Sequence, residues 1–324
     1  MTKGILVRKA GGPEVMEWVD LPISKPGPGE VLLRQTAVGV NFIDVYYRSG
    51  LYPWPGASIV PGAEAAGVIE AIGDGVSGYR IGDRVAYVMA HGAYCQARVV
   101  PADRLIALPD GIADAAIAGA LLKGLTAQYL VTASYVVRPG DTVLVHAAAG
   151  GVGLLLGQWL AAIGATAIGT AGTPDKCALA RSHGYAHVIN YRAQDFVAEV
   201  AAITAGKGVA AVYDSVGHDT WRGSLKCLSP RGMFVSFGQS SGMLTGFSVQ
   251  DLATNGSLSA NRPVLFDYIA NRSELMGRSA DLISRIHSGA LRLDSAKTRP
   301  LHEAAEAHRA LEARQTTGST VLLP

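Results

Sequence analysis

The sequence predicts an α/β protein built in two parts. A small β-rich domain covers about the first 125 residues, and a parallel sheet flanked by helices follows it. Three observations carry this prediction. The N-terminal third is dense in Gly and Pro, with short apolar runs about ten residues apart between turns, the pattern of a β-rich domain. From Ile112 onward the pattern changes, and apolar strands alternate with helical stretches of ten or more residues, which means βαβ units. Finally, the strand beginning at Thr142 runs straight into glycines that open an apolar helix.

Taken in order, Gly4 to Lys9 reads as a strand before the turn Gly11-Gly12-Pro13. Lys25 to Glu30 is a Pro/Gly loop, and Glu30 to Val38 reads as a strand. Gly82-Asp83-Arg84 turns the chain into the strand Val85 to Met89. Ala113 to Val131 reads as helix, with a break expected at Gly124. Then come strand Thr142 to His146, helix Val152 to Ile163, strand Ala165 to Thr170 and helix Pro174 to His183. Strand His187 to Ile189, helix Gln194 to Thr204 and strand Val209 to Tyr213 complete the alternation. Helices over 271–288 and 301–313 and a strand over 319–323 end the chain.

Composition narrows the class. With 324 residues, 49% hydrophobic and 17% charged, there is enough apolar surface to exclude a disordered chain. The 39 glycines show no three-residue period, which excludes collagen. No apolar run reaches the ~18 residues of a membrane span, and Val143 to Gly157 is broken by His146 and by glycines. Met1 to Arg8 changes polarity too quickly for a signal peptide. A formal charge of +2 and no basic stripe argue against a nucleic-acid or membrane partner. Three scattered cysteines, Cys95, Cys177 and Cys227, make no disulfide framework, so a reducing cytoplasm is expected.

The segment from Val143 to Gly153 is the most informative. Ala147, Gly150 and Gly153 occupy the three positions of a G-x-x-G-x-x-G pattern, with Ala at the first. Gly150 and Gly151 let backbone approach a pyrophosphate, and the helix they open presents free N–H groups to it. Gly153 lets that helix close on the strand. Leu154-Leu155 stands where a Walker lysine would be, which disfavours ATP hydrolysis. NAD-binding domains place an acid ~20 residues beyond such a loop. Here the second strand ends at Thr170-Ala171-Gly172 with no acid, followed by Thr173 and Lys176, so NADPH is expected.

At this point the residues resemble a known family. Gly82-Asp-Arg-Val85, Arg138 to His146 and Ala147 to Gly153 resemble the medium-chain dehydrogenases/reductases. Val40 to Tyr52, Tyr213 to Gly217, Val235 to Gly242, Arg262-Pro263 and Thr317 to Leu323 resemble its NADPH:quinone oxidoreductase (zeta-crystallin-like) branch. The resemblance runs from end to end. It implies a GroES-like domain over 1–125, a doubly wound Rossmann domain over 126–265 and a C-terminal return over 266–324. It also implies a homodimer that reduces quinones with NADPH. By the same resemblance, Asn41, Phe42 and Tyr46 line the nicotinamide side, and Thr126, Gly150, Gly151 and Val152 hold the central part and pyrophosphate. Thr173, Lys176 and Tyr191 surround the 2′-phosphate, and Phe237, Gly238, Gln239, Pro263 and Arg314 close over the cofactor.

Zinc-dependent relatives carry Cys at the position of Asn41 and Gly-His-Glu in place of Gly62-Ala63-Glu64, so no metal is expected. A quinone or conjugated enone is already electrophilic and needs no Lewis acid to polarise it. A proton would come from solvent or from Tyr46 or Tyr52, the two candidate catalytic residues. No Gly-x-Ser-x-Gly occurs, which leaves a hydrolase reading without its nucleophile. Two rivals remain open: reduction of conjugated enones, alkenals or enoyl thioesters, and a non-catalytic NADPH-binding structural or RNA-binding role.

Overall fold

The computed structural model describes residues 1–324. The chain forms two compact units. The first comprises Met1–Leu122, Ile269–Asp281 and Leu293–Pro324, and the second Lys123–Tyr268 and Leu282–Arg292.

The first unit is built on antiparallel strands. β1 (Thr2–Val7) pairs with β2 (Met16–Leu21). The larger sheet centres on β3 (Glu30–Gly39), which lies antiparallel to both β4 (Glu64–Ile72) and β6 (Ala97–Pro101). β5 (Arg84–Val88) pairs with β4 and with the two-residue β7 (Ile106–Ala107). Alternation explains β3: Val31 and Leu33 are fully buried, while Arg34 between β3 and solvent is exposed. Tyr87, Tyr94, Ile69 and Leu105 fill the core beside them.

Residues 42–48 form a short helix, α1 (Phe42–Arg48), that the sequence reading does not predict. Seven residues rich in aromatic and β-branched side chains carry almost no intrinsic helical preference. The helix exists because the fold buries Asp44, Val45, Tyr46 and Arg48. The helix expected over 113–131 is also different. It is divided into α2 (Asp114–Ala118), α3 (Leu121–Tyr129) and a π-helical turn, Leu130–Ser134. The break falls after α2, where Ser319 Oγ donates to the Gly119 carbonyl at 2.7 Å, and not at Gly124. Gly124 stays inside α3 because a Cβ there would meet both methyls of Leu282 at 2.6 Å, a contact only glycine avoids.

The second unit alternates as expected. Its elements are β8 (Thr142–Val145), α4 (Gly151–Ile163), β9 (Thr166–Ala171), α5 (Pro174–Arg181), β10 (His187–Asn190), α6 (Phe196–Ile203) and β11 (Val209–Asp214). α7 (Trp221–Cys227), β12 (Leu228–Ser236), α8 (Val249–Thr254), β13 (Ser259–Asn261) and α9 (Leu265–Tyr268) extend it. All six strands are parallel, in the order β10-β9-β8-β11-β12-β13. The chain starts in the middle of the sheet, moves to one edge, then returns to build the other half. The order therefore reverses between β8 and β11, the place where open α/β sheets leave a crevice at their carboxyl ends.

The remaining elements are α10 (Arg272–His287), β14 (Lys297–Pro300), α11 (Ala304–Glu312) and β15 (Thr320–Leu323). β15 adds antiparallel to β3, and β14 lies parallel to β15. Within the first unit, Arg104 donates to the carbonyls of Ile269 and Ala270, and Arg272 donates back to those of Asp103 and Leu105.

Candidate functional site

The glycine turn sits at the carboxyl end of β8, next to the strand-order reversal. Its first position, Ala147, has φ 55°, the left-handed region that an L residue enters at a cost of about 1–2 kcal/mol. The Gly150 N–H closes the turn on the Ala147 carbonyl at 2.9 Å, and α4 begins one residue later. A Cβ on Gly153 would lie 2.4 Å from the Ala147 oxygen and 2.7 Å from that of Ala148. Glycine at 153 is thus what lets α4 close onto the turn. No side-chain cap occupies the N-terminus of α4. Its free N–H groups and positive dipole end suit a pyrophosphate.

The next strand supplies the second part. β9 ends at Ala171, and Thr173 caps α5 by accepting the Lys176 N–H at 3.3 Å. Tyr191 is tied to the end of β9 by its N–H to the Ala171 carbonyl at 3.1 Å. A Cβ on Gly172 would meet the Tyr191 hydroxyl at 2.6 Å, so the ring leans over a backbone bare of side chain. Thr173, Lys176 and Tyr191 thus gather at one strand end. On the other side of the Gly150 turn, the Phe237 N–H donates to the Asp214 carbonyl at 2.9 Å, which sets Phe237 and Gly238 at the ends of β11 and β12. Gln239 follows them, and Val152 lies in the first turn of α4. Thr126 is buried in α3, and Pro263 is buried just past β13. These placements fit a dinucleotide laid over strand ends, with phosphates at Gly150–Gly151 and the adenosine side at Gly172.

Beneath the turn lies a polar chain that the sequence reading does not anticipate. His146 Nδ1 is 2.9 Å from Thr170 Oγ1 and Nε2 is 3.0 Å from Ser224 Oγ. Ser224 in turn donates to Asp214 Oδ2 at 2.9 Å. The Ser224 oxygen is then free to accept from the imidazole, which puts the His146 proton on Nε2. Burial pushes the His146 pKa down, against the opposing pull of the Asp214 charge. Asp214 also accepts from the N–H groups of Val216 and Gly217 and from Thr220. The chain is fully buried and its hydroxyl already donates to a carboxylate, so it is a clamp joining β8, β9, β11 and α7, not a hydrolytic triad.

In the β-rich unit, Asn41 is 6% exposed and precedes α1. Its side-chain amide donates to Glu64 Oε1 at 2.9 Å, and its backbone N–H to Asp44 Oδ2 at 2.7 Å. The other Glu64 oxygen accepts the Leu122 N–H at 2.6 Å. Both oxygens of this buried carboxylate are thus taken by N–H donors. No group of three His, Cys, Asp or Glu side chains suited to a metal occurs anywhere in the chain, so a zinc ion has no ligand set to enter.

Asp44 is the end of a longer buried chain. Tyr94 Oη lies 3.0 Å from Asp44 Oδ2 and 3.0 Å from His308 Nε2. Arg48 Nη1 is 3.3 Å from His308 Nδ1, and the guanidinium clasps both oxygens of Glu312. Arg48 can only donate, so Nδ1 accepts and the imidazole proton sits on Nε2, pointing at Tyr94. Burial, assisted by Arg48, drives the His308 pKa down to about 3.

Tyr46 on the short helix α1 meets Tyr52, which lies just past its end: the ring centroids of the two candidate catalytic tyrosines are 5.3 Å apart. Phe42 lies 6.2 Å from Tyr46, while Tyr47 stands edge-on to Tyr52 at 5.5 Å and to His91 at 5.8 Å. Tyr47 and His91 are thus neighbours that sequence reading missed. Burial, with the nearby Tyr52 and Asp44, raises the Tyr47 pKa, which leaves it a poor acid. Arg314 is exposed just beyond α11, at φ 56°. It holds the left-handed position that ends a helix, where glycine is usual.

The family described as alcohol dehydrogenase GroES-like domain matches residues 27–141, and that described as zinc-binding dehydrogenase matches 151–270. A quinone oxidoreductase of Pseudomonas aeruginosa is 47% identical, over 100% of both chains. A 2-haloacrylate reductase of Burkholderia is 46% identical, over 100% of this chain and 99% of its own. The crystal structure of Escherichia coli quinone oxidoreductase complexed with NADPH superposes with a TM-score of 0.96 at 45% identity, covering 99% of this chain and 100% of that one.

Proposed function

The chain belongs to the quinone oxidoreductase branch of the medium-chain dehydrogenases/reductases, and from that premise we propose that it is a zinc-independent reductase that passes reducing equivalents from NADPH to a quinone. The observation that carries this reading is the uncapped Gly150–Gly151 start of α4 beside the reversal in strand order. When bound, the reduced nicotinamide supplies the hydride equivalent.

The residues divide the work. Gly150, Gly151 and Val152, with Thr126, hold the pyrophosphate and the central part of the cofactor. Thr173, Lys176 and Tyr191 take the 2′-phosphate. Phe237, Gly238, Gln239, Pro263 and Arg314 close over the cofactor, and Asn41, Phe42 and Tyr46 line the nicotinamide side. Asn41 suits this task because Glu64 and Asp44 fix its amide and its backbone. The acceptor is electrophilic without help, so the protein's part is to orient it and exclude water. Solvent, Tyr46 or Tyr52 supplies the proton that the reduced oxygen takes up.

The working form is a homodimer. β13 is an edge strand of the six-stranded sheet, with Met243 57% exposed and Val249 79% exposed in the segment before it. An edge with apolar neighbours is a ready surface for a second copy. Three free, buried cysteines accord with a reducing cytoplasm.

The test is steady-state oxidation of NADPH with a benzoquinone, with NADH as the control. Rapid turnover with NADPH and a quinone supports the assignment. The 2-haloacrylate reductase relative keeps a second reading in view, reduction of an alkene conjugated to a carbonyl. Faster turnover on a 2-haloacrylate or a medium-chain enone than on any quinone would select it.

A further inference from the structure

We propose that Arg192 is a second cationic ligand for the 2′-phosphate of NADPH and a residue that sets the preference for NADPH over NADH; this rests on the cofactor assignment above. The turn after β10 is held firmly. The Tyr191 N–H donates to the Ala171 carbonyl at 3.1 Å, and the Arg192 N–H donates to Asn190 Oδ1 at 3.2 Å. Ala193 and Gln194 both donate to the Asn190 carbonyl, which closes the turn. Tyr191 and Arg192 are thereby placed over the end of β9.

Gly172 makes that approach possible. The position its Cβ would take lies 2.6 Å from the Tyr191 hydroxyl and 3.4 Å from Arg192 Nε. The phenol and the guanidinium thus converge on the same bare stretch of backbone, one residue before Thr173. The Arg192 side chain is exposed and makes no hydrogen bond, ion pair or ring contact. A fixed backbone that aims an uncommitted guanidinium at the proposed phosphate subsite is the juxtaposition that carries the proposal.

Charge balance points the same way. Asp175 and Lys176 are consecutive in the first turn of α5, so their formal charges cancel. A phosphate monoester carries about −1.5 to −2 near neutral pH. Lys176 and Tyr191 alone leave that charge poorly matched, and Arg192 makes the subsite net positive. A guanidinium also offers two parallel donors to one phosphate, which an ammonium cannot.

Isothermal titration calorimetry on the full chain tests this with 2′,5′-ADP and 5′-AMP, which differ by the 2′-phosphate. The Arg192→Ala protein should bind 2′,5′-ADP about tenfold more weakly, with 5′-AMP affinity held within about twofold. Arg192→Lys should restore part of the loss, and the gap should narrow as salt is raised. Gly172→Ala, which pushes the phenol and guanidinium away, should show the same selective loss. An Arg192→Ala protein that keeps wild-type affinity for 2′,5′-ADP overturns the role of Arg192 while leaving the NADPH assignment standing. A wild-type protein that binds the two nucleotides equally overturns both.

Discussion

Asn41 gives its side-chain amide to one oxygen of Glu64 at 2.9 Å, while the other oxygen takes the Leu122 N–H at 2.6 Å. Glu64 is fully buried, and this arrangement gives each of its two oxygens an N–H donor. Asn41→Asp should turn the pair into two carboxylates in hydrogen-bond contact. One of them must then hold a proton, with a folded-state pKa raised above that of the unfolded chain. Stability should therefore be retained at low pH and lost as pH rises through the raised pKa, by about 1.4 kcal/mol per pH unit. Urea unfolding at pH 5 and pH 8 should show the gap between wild type and variant widening at the higher pH.

His308 predicts the opposite dependence. Its pKa falls from 6.5 in the unfolded chain to about 3 in the fold, so the unfolded state binds the extra proton first as pH drops. Its contribution to stability is complete above 6.5 and is lost as pH falls toward 3. The slope should be about 1.4 kcal/mol per pH unit across that window. His308→Gln keeps a donor and an acceptor but cannot titrate. Denaturant curves from pH 7 to pH 4 should show the variant losing less stability than the wild type; parallel losses would remove His308 as the cause.

The phosphate turn makes a paired prediction. Gly153→Ala places a Cβ 2.4 Å from the Ala147 carbonyl oxygen, a backbone contact that cannot swing away. It should cost about 1–3 kcal/mol of stability and weaken NADPH binding, read by urea unfolding and by quenching of tryptophan fluorescence. Ala147→Gly relieves a left-handed alanine worth about 1–2 kcal/mol, offset by about 0.4–1 kcal/mol of added freedom in the unfolded chain. It should be neutral to slightly stabilising.

Lys176→Glu puts a negative charge where the 2′-phosphate is proposed to lie. The KM for NADPH should rise at least about tenfold, with kcat nearly unchanged and KM for NADH unaffected or lowered. An unchanged KM for NADPH would move the 2′-phosphate away from this helix.

Single substitutions test Tyr46 and Tyr52 separately. Phenylalanine at either position keeps the 5.3 Å contact and removes only the hydroxyl. The residue that donates the proton should lose about a hundredfold in kcat on substitution, and the other should change little. If both variants keep wild-type kcat, the proton comes from water.

The parts of this protein readable from sequence are those set by neighbours along the chain. The run from Thr142 to Asp214 alternates strand and helix, and glycines punctuate it at 150, 153, 164 and 184. Period and punctuation are local properties, and they suffice for the parallel sheet and the phosphate turn. α1 escaped because its residues favour no helix, and β13 because three residues carry no period. The break at Gly119 was misread as one at Gly124, because what spares Gly124 is the tight approach of Leu282. Arg192 carried no signal that set it apart from any exposed arginine.

Sequence by itself determined the fold class, the anion-binding turn and the absence of an acid at the end of β9, since each depends on residue type and spacing over a few positions. Tertiary structure alone decided which distant groups meet. Arg48 reaches His308 across 260 positions, and Asp214 receives Ser224 only because α7 packs on β11. Burial strengthens such contacts and shifts the charges within them, and burial is a property of the assembled fold that no local stretch of chain contains.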